Sequence, residues 1–302
     1  MNLAQLNQQY AIPDQVEFVV GKGDLPLLRV STPAAEALIS LYGGQVLSFR
    51  PADHGRDLLF LSELAYFESG KAIKGGVPIC WPWFGADPEQ RGRAAHGFAR
   101  NSLWSVDGVE QVAPDLIRVT LLLRDDAQTL AVWPHAFELR LVISISHSLE
   151  LQLITRNTGA QPFQITQALH TYFSVGEIGQ VEVHGLDGCE YLDKVRDFAR
   201  DRQSGPITFA QEVDRIYLGA PDRLHIVDPA QDRTIHIAAG GSNTAVVWNP
   251  WEQLSRTMAD LGDDDYRRLV CVETANAADE VITIDTDGEY ALSASYRATT
   301  GD

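Results

Sequence analysis

The feature that most constrains the fold is an alternation of apolar and polar residues with a period of two. Every second residue of 137–145 is apolar, and so is every second residue of 149–153, while most of the residues between them are polar. Because side chains on a β-strand point alternately to its two faces, each segment predicts a strand with one buried face. The short segment 146–148 between them predicts a hairpin turn.

Similar short segments recur along the chain and are separated by turn residues such as Asp187-Gly188 and Asp287-Gly288. Long helical patterns with capping residues are missing, and 34–39 and 62–68 predict at most one or two helical turns. We therefore predict an all-β sandwich that forms a single domain over residues 1–302, with its core at about 35–296 and the first dozen residues loosely attached. The recurring segments are 117–123, 181–185, 224–228, 234–238, 244–248, 269–273, 281–285 and 290–296.

The charge of the chain excludes several classes of partner. Lysine and arginine total 24 against 41 aspartate and glutamate residues, a formal net charge of −17. Such a chain repels nucleic acid and anionic membranes, so we expect neither as a partner. No apolar run approaches the roughly 20 residues that span a bilayer, and the N-terminus lacks the basic and apolar pattern of a signal peptide. We expect a cytoplasmic protein.

The cysteines and histidines give no sign of a metal centre. Cys80, Cys189 and Cys271 are odd in number and have no paired spacing, which indicates neither a disulfide framework nor a thiolate metal site. None of the eight histidines forms an H-x-H or H-x-x-x-H pair. We expect no metal and no cofactor. Because no long, apolar, uncharged edge strand stands out, we expect a monomer.

The sign of the charge reverses locally in residues 71–100. Five basic residues in this segment are accompanied by only two acidic ones, Asp87 and Glu89. A chance fluctuation would give the same excess, whereas the functional interpretation is a region that binds an anionic metabolite. The five basic residues are Lys71, Lys74, Arg91, Arg93 and Arg100.

Two motifs in this basic segment are unusual for a generic sandwich. In W-P-W-F-G, the aromatic side chains of Trp81, Trp83 and Phe84 suit a stacking wall for a sugar ring, although a rigid turn with aromatic core packing would look the same. The motif H-G-F-A-R spans residues 96–100. If it is extended, its first, third and fifth side chains share one face, as in a site for an anion or a sugar hydroxyl. A plain surface strand is the alternative.

Two further motifs place an ionisable residue at the end of an apolar strand. His170 in A-L-H-T-Y-F-S follows an apolar run and precedes two aromatic residues. Glu273 ends the apolar run L-V-C-V, where burial of a carboxylate costs several kcal/mol unless the group is paired or functional. A satisfied core histidine and an exposed strand end are the structural alternatives. Both residues are therefore candidates for catalysis, and neither is assigned by its own motif alone.

Taken together, the motifs resemble those of the aldose 1-epimerase (galactose mutarotase-like) superfamily, and within it those of the glucose-6-phosphate 1-epimerases. They are, in chain order, K-G-G-V-P, W-P-W-F-G, H-G-F-A-R, H-T-Y-F, V-D-R-I-Y, V-W-N-P-W and V-C-V-E. The resemblance implies a β-super-sandwich of two large, mostly antiparallel sheets with the site in an open cleft. It also implies an isomerase that interconverts the α and β anomers of a D-hexose 6-phosphate without a cofactor.

The resemblance also implies roles for individual residues. It makes His170 the catalytic acid and Glu273 the base, and it places Asp214 against the sugar or the catalytic histidine. A carboxylate beside His170 would raise the pKa of its imidazole and orient the ring. The substrate-binding residues implied in this way are Lys74 and Arg100 at the phosphate, together with His96 and Asp214.

Alternative functions stay open at this point. An aldose 1-epimerase of free hexoses would use the same chemistry without a phosphate, and the basic excess in residues 71–100 argues against it. A non-catalytic carbohydrate-binding protein on the same fold would need neither an acid nor a base at C1. A glycoside hydrolase would require two carboxylates beside the scissile bond, and only Glu273 has the right context.

Overall fold

The computed structural model describes residues 2–300. In this part of the chain, strands dominate and three short α-helices connect or precede them. The helices are α1 (Leu3–Tyr10), α2 (Ala127–Val132) and α3 (Trp251–Ser255). The strands are β1 (Val16–Val20), β2 (Pro26–Ser31), β3 (Ala35–Ser40), β4 (Gln45–Pro51), β5 (Ile79–Cys80), β6 (Ser105–Ala113), β7 (Leu116–Arg124), β8 (Phe137–Ile145), β9 (Leu149–Asn157), β10 (Phe163–Ile165), β11 (Gln167–Leu169), β12 (Tyr172–Ser174), β13 (Glu182–His184), β14 (Glu190–Asp193), β15 (Ala199–Arg202), β16 (Val213–Leu218), β17 (Arg223–Asp228), β18 (Arg233–Gly240), β19 (Thr244–Asn249), β20 (Leu269–Asn276), β21 (Ile282–Ile284) and β22 (Glu289–Thr300).

Two eight-stranded sheets form the body of the protein. The first, called the site sheet here, has the order β15-β14-β16-β19-β20-β11-β5, and β12 pairs with β20 beside that path. The second, called the back sheet, has the order β13-β17-β18-β22-β9-β8-β7-β6. Neighbouring strands of both sheets run antiparallel, as do those of a four-stranded sheet, β1-β2-β3-β4, and of the pair β10-β21. The predicted all-β super-sandwich of two large antiparallel sheets is confirmed.

The hairpin predicted from the alternating sequence lies near the middle of the back sheet. Strands β8 and β9 pair in register from Phe137 opposite Asn157 to Ile145 opposite Leu149. The apolar residues of β8 are buried and the residues between them are partly exposed. This register confirms the predicted hairpin. The hairpin could be predicted because the pattern that encodes it is local in the sequence.

The main hydrophobic cluster lies between the two large sheets. Val270 and Val272 of the site sheet belong to the same buried cluster as Leu139 and Leu141 of the back sheet. The cluster also contains Val16 of β1. Met1, Gly301 and Asp302 lie outside the described residues, and the prediction of one domain over 1–302 stays a prediction.

The N-terminal segment differs from its prediction. Residues of the first dozen form α1, whose apolar side chains pack against the main cluster. The Asn7 side chain donates to the Phe18 carbonyl and accepts from the Phe18 N–H, both at 2.8 Å. The expected loose attachment is therefore wrong, and so is the expected helical turn at 34–39, which is strand β3. No helix in residues 2–300 is long and apolar enough to cross a membrane.

Candidate active site

A cleft of about 300 Å³ opens on the face of the site sheet that points away from the back sheet. Its volume is at the lower end of the range for small-molecule sites, roughly 300–1,000 Å³. Residues far apart in the sequence meet there because β5, β11, β16 and β20 lie in one sheet. The cleft brings together all six residues singled out from the sequence: Lys74, His96, Arg100, His170, Asp214 and Glu273.

Strand β20 fixes the position of Glu273. This strand is buried along its whole length, between β19 on one side and β11 and β12 on the other. Because side chains alternate, Val272 points into the core between the sheets and Glu273 points into the cleft. The Glu273 side chain is only 1% exposed, and its Oε2 atom has no hydrogen-bond partner within the described residues. A buried carboxylate oxygen without a hydrogen-bond partner destabilises a fold, so this position indicates a role in a reaction.

His170 directly follows β11 and is held from both sides. Its backbone N–H donates to the Pro78 carbonyl at 3.0 Å, and its ring stacks on Tyr172 with the centroids 4.9 Å apart. The adjacent Thr171 hydroxyl makes a 2.6 Å hydrogen bond with the Tyr296 hydroxyl of the back sheet. The imidazole is therefore oriented by its backbone, by an aromatic neighbour and by the core beneath it.

His170 and Glu273 form a close pair, with Nε2 of the imidazole 3.4 Å from Oε1 of the carboxyl. Burial lowers the pKa of His170 well below its ordinary value, and repulsion from His96 and Arg100 lowers it further. Burial also raises the pKa of Glu273 well above its ordinary value, helped by the nearby Asp214 carboxylate. Both shifts disfavour charge, so burial favours a neutral imidazole beside a protonated carboxyl in the empty cleft.

Asp214 does not have the electrostatic role expected for it. It lies on β16, and its carboxylate binds Lys194 Nζ at 2.7 Å. We expected Asp214 to raise the pKa of His170, whereas that pKa is lowered. The reason is that burial dominates at the imidazole and that the charged side chains acting on it, Arg100 and Lys74, are cations. The residue nevertheless lines the cleft, as predicted for a substrate contact.

Lys194 is a cleft residue that the sequence reasoning missed. Asp193 at the end of β14 pairs with Arg215 of β16, and this register places the next residue, Lys194, beside Asp214. No motif around Lys194 marks it as part of a site. Only the pairing of β14 with β16 could have identified it, and the sequence does not encode that pairing in a recognisable local pattern.

His96 enters the cleft as a neutral hydrogen-bond donor. Its Nδ1 accepts from the Gly85 N–H at 3.3 Å, which leaves the proton on Nε2. Burial, together with repulsion from Arg100 and the lysines of the cleft, lowers the pKa of His96 to about 3. A neutral imidazole with a free Nε2–H is suited to a sugar hydroxyl.

The two predicted phosphate ligands are positioned differently. The Arg100 guanidinium donates to the Ala95 carbonyl at 2.9 Å, and within residues 2–300 it has no carboxylate within 4.0 Å. Lys74 Nζ lies 3.4 Å from Asp260 Oδ1. The other three basic residues of 71–100 do not line the cleft, and each forms an ion pair with an acidic neighbour. They are Lys71 with Glu68, and Arg91 and Arg93 with Glu89.

The aromatic wall predicted from W-P-W-F-G is only partly present. Trp81 and Trp83 are buried in the main cluster, and the Trp81 indole donates to the Thr155 hydroxyl at 3.0 Å. Phe84 alone of the three lines the cleft. For the two tryptophans, the alternative of core packing is correct.

The motif H-G-F-A-R does not form an extended segment. Gly97 has a φ of +71°, and a Cβ there would lie 2.0 Å from the Trp81 carbonyl oxygen. The chain then forms a 3₁₀ turn at Ala99–Asn101, and the Phe98 ring packs edge-on against Trp81. His96 and Arg100 still reach the cleft, whereas Phe98 joins the core. The two polar side chains therefore meet in the cleft without the extended backbone, and their binding roles stay predictions.

Comparison with known proteins then identifies the family. A family model described as aldose 1-epimerase matches residues 26–297. The chain belongs to the aldose 1-epimerase family. Within residues 2–300, no group of three histidine, cysteine or acidic residues is arranged to hold a metal ion.

Several related proteins carry a name that is more specific than the name of the family. Proteins called "putative glucose-6-phosphate 1-epimerase" include one from Cenchrus ciliaris, 42% identical over 263 residues that cover 84% of this chain and 78% of that protein. Another, from Escherichia coli K12, is 38% identical over 276 residues, covering 89% of this chain and 91% of that protein.

Solved structures agree with the fold of the aldose 1-epimerase family member. The crystal structure of a "putative mutarotase" from Salmonella typhimurium superposes with a TM-score of 0.90 at 33% identity, over 96% of both chains. A galactose mutarotase related enzyme from Lactobacillus acidophilus has a TM-score of 0.71 at 15% identity, over 91% of this chain and 98% of that one. The second similarity concerns the fold alone, and it agrees with the predicted galactose-mutarotase-like architecture.

Proposed function

We propose that the protein interconverts the α and β anomers of a D-hexose 6-phosphate, the activity of a glucose-6-phosphate 1-epimerase. The observation that carries this proposal is the pair His170–Glu273, whose functional atoms are 3.4 Å apart in a cleft that also contains Lys74 and Arg100. The names of the relatives and the crystal structure of the mutarotase support the same assignment.

The spacing of the pair fits the reacting atoms of a cyclic sugar. The C1 hydroxyl oxygen and the ring oxygen are both bonded to C1, so one site must take a proton from the first and give a proton to the second. Glu273 removes the hydroxyl proton while His170 protonates the ring oxygen, and the bond from C1 to the ring oxygen breaks. The resulting aldehyde rotates about the C1–C2 bond. Closure on the other face of the carbonyl returns both protons.

A single proton shared by the pair is the state that this cycle requires. With the proton on His170, the imidazolium is the acid and the Glu273 carboxylate is the base. The lowered pKa of His170 and the raised pKa of Glu273 favour the neutral pair before substrate binds, and proton transfer between the two side chains gives the reactive form. Two protons or none would leave the site without a base or without an acid.

The pH dependence of anomer exchange follows from the titration of His170 and Glu273. We expect kcat/KM for free glucose to fall on the acid side only below about 6.5, the ordinary pKa of histidine, and on the alkaline side only above about 4.3, the ordinary pKa of glutamate, because the pKa of His170 is lowered and that of Glu273 is raised. The pH profile is measured with free glucose, because the phosphate group of glucose 6-phosphate itself titrates near pH 6. Exchange spectroscopy at each pH measures the profile, and an acid limb above about 6.5 would contradict the lowered pKa of His170.

The cations of the cleft supply the phosphate specificity. A chain with a net charge of −17 repels a dianionic sugar unless positive side chains meet it locally. Lys74 and Arg100 provide them, and His96 donates to a sugar hydroxyl. Since the six site residues come from one chain, the site needs no second subunit to complete it, and we propose a monomer. We assign it to the cytoplasm, because membranes retain charged sugar phosphates inside the cell.

One experiment tests the proposal directly. Two-dimensional NMR exchange spectroscopy of glucose 6-phosphate and of glucose, each with and without the protein, measures the rates of anomer exchange. We expect a larger kcat/KM for glucose 6-phosphate than for glucose. Faster exchange of glucose would instead make the protein an aldose 1-epimerase of free sugars. No acceleration of either sugar would indicate a carbohydrate-binding protein.

A further inference from the structure

We propose that Asp260 is an internal competitor of the substrate's phosphate group, a carboxylate that occupies Lys74 until an anion displaces it. The inference rests on the proposed function, because it assumes that Lys74 faces the phosphate. It predicts that the cleft binds hexose 6-phosphates and free inorganic anions more weakly than its positive side chains alone would allow. Asp260 thus becomes a residue that determines affinity for the phosphate without contacting the reacting atoms.

The first observation is how the cations of the cleft are compensated. Lys74 Nζ lies 3.4 Å from Asp260 Oδ1 and 3.9 Å from the Met258 sulfur, and the lysine and aspartate side chains are only 18% and 20% exposed. Lys194 is neutralised in a similar way by Asp214. Arg100 has a backbone carbonyl as its partner, and its buried Nε has no hydrogen-bond partner in residues 2–300. An incoming anion therefore meets one uncompensated cation and two that carry a counter-ion.

The second observation is that the segment carrying Asp260 is anchored at both ends. Ser255 Oγ donates to the Gly262 carbonyl at 3.0 Å, and the Gly262 N–H donates to the Asp265 carboxylate at 2.8 Å. Leu261, the residue next to Asp260, is buried. These contacts hold the backbone near Lys74, while the partly exposed Asp260 side chain retains room to rotate.

The physical consequence concerns every anion that reaches Lys74. A neutral hexose in the cleft displaces water from the lysine, and the Asp260 carboxylate then balances a charge that would otherwise be desolvated and unpaired. A phosphate at Lys74 has the opposite effect, because two anions beside one ammonium repel each other. Binding of the phosphate therefore requires the Asp260 side chain to move away from Lys74. The free energy of the Lys74–Asp260 ion pair is then lost from the free energy of phosphate binding. This loss of binding free energy is the same for hexose 6-phosphate and for inorganic phosphate.

The test compares Asp260→Asn with a matched control on the same segment. Asp263→Asn removes the same charge from an exposed residue three positions away. We expect Asp260→Asn to lower KM for glucose 6-phosphate and the Kd of inorganic phosphate by one common factor of about three to ten, the range for a partly buried ion pair. Exchange spectroscopy gives KM and calorimetry gives Kd, while thermal unfolding verifies that both variants fold. Asp263→Asn should change neither constant.

The outcomes separate the two proposals. A KM that rises, or a phosphate Kd that does not fall, in a folded Asp260→Asn variant would show that Asp260 only holds Lys74 in place, and the inference would be overturned. Equal changes in Asp260→Asn and Asp263→Asn would overturn it as well, because a general charge effect would then suffice. If the wild-type protein does not accelerate exchange of glucose 6-phosphate, the proposed function fails, whereas tighter phosphate binding by Asp260→Asn would still support competition at Lys74.

Discussion

Replacing either member of the His170–Glu273 pair is expected to lower the rate of anomer exchange by at least about a hundredfold, since an acid or a base each contributes roughly 10²–10⁴. The substitutions are His170→Asn and Glu273→Gln, which keep the approximate shape of each side chain. Each variant loses one end of the proton transfer while the cleft and its cations remain. The measurement is the exchange rate of glucose 6-phosphate anomers at saturating substrate, so that a change in binding is not read as a change in chemistry.

The stability of the Glu273→Gln variant provides the control for this experiment. Burial raises the pKa of Glu273, so the stability linked to its protonated form is complete at low pH and is lost as the pH rises through the raised value. Glutamine does not titrate and carries no such loss. We therefore expect the variant to unfold at a temperature no lower than the wild type at pH 7, with a smaller difference at pH 4. Wild-type exchange in a folded variant would remove that residue from the mechanism.

The parts of the fold that the sequence predicted are those encoded locally. Strands β8 and β9 follow from the alternation over 137–145 and 149–153, and the turn between them follows from the polar residues 146–148. The segment 34–39 was misread as a helical turn because A-A-E-A has helical propensity, whereas its pairing with β2 and β4 makes it a strand. Helix α1 was missed because it has fewer than three turns, and its docking through Asn7 depends on a distant strand.

The candidate site also contains residues that the sequence predicted and residues that only the fold brings to the cleft. The six candidate site residues carried by recognisable motifs, such as His170 and Arg100, all reach the cleft, whereas Trp81 and Trp83 of the motif W-P-W-F-G are buried in the core. Their roles stay predictions until the variants are measured. Lys194 and Asp260 could not be predicted, because strand register brings the first to the cleft and an anchored loop brings the second. The pKa shifts of His170 and Glu273 were also beyond the sequence, because they result from burial that only the assembled sheets create.

Arg100→Ala is the substitution expected to change substrate preference most. We expect it to raise KM for glucose 6-phosphate by about ten- to a hundredfold, the loss of a charge-assisted contact of roughly 1.5–3 kcal/mol. Lys74→Ala should have a smaller effect in the same direction, because Asp260 already compensates Lys74 and no carboxylate of the described residues compensates Arg100. Free glucose lacks the phosphate, so its KM should rise far less in both variants.

The matched control for Arg100→Ala is Arg91→Ala, which removes an arginine of the same basic segment whose exposed side chain pairs with Glu89. Exchange spectroscopy on both sugars in one buffer gives the ratio of the two kcat/KM values for each variant. The preference for the phosphate should also weaken with added salt in the wild type and much less in Arg100→Ala, because screening acts on the contact that the variant lacks. Equal losses on glucose and glucose 6-phosphate would mean that Arg100 supports the ring or the fold. A loss in Arg91→Ala as large as in Arg100→Ala would mean that the overall charge of the segment, and not a defined phosphate site, sets the preference.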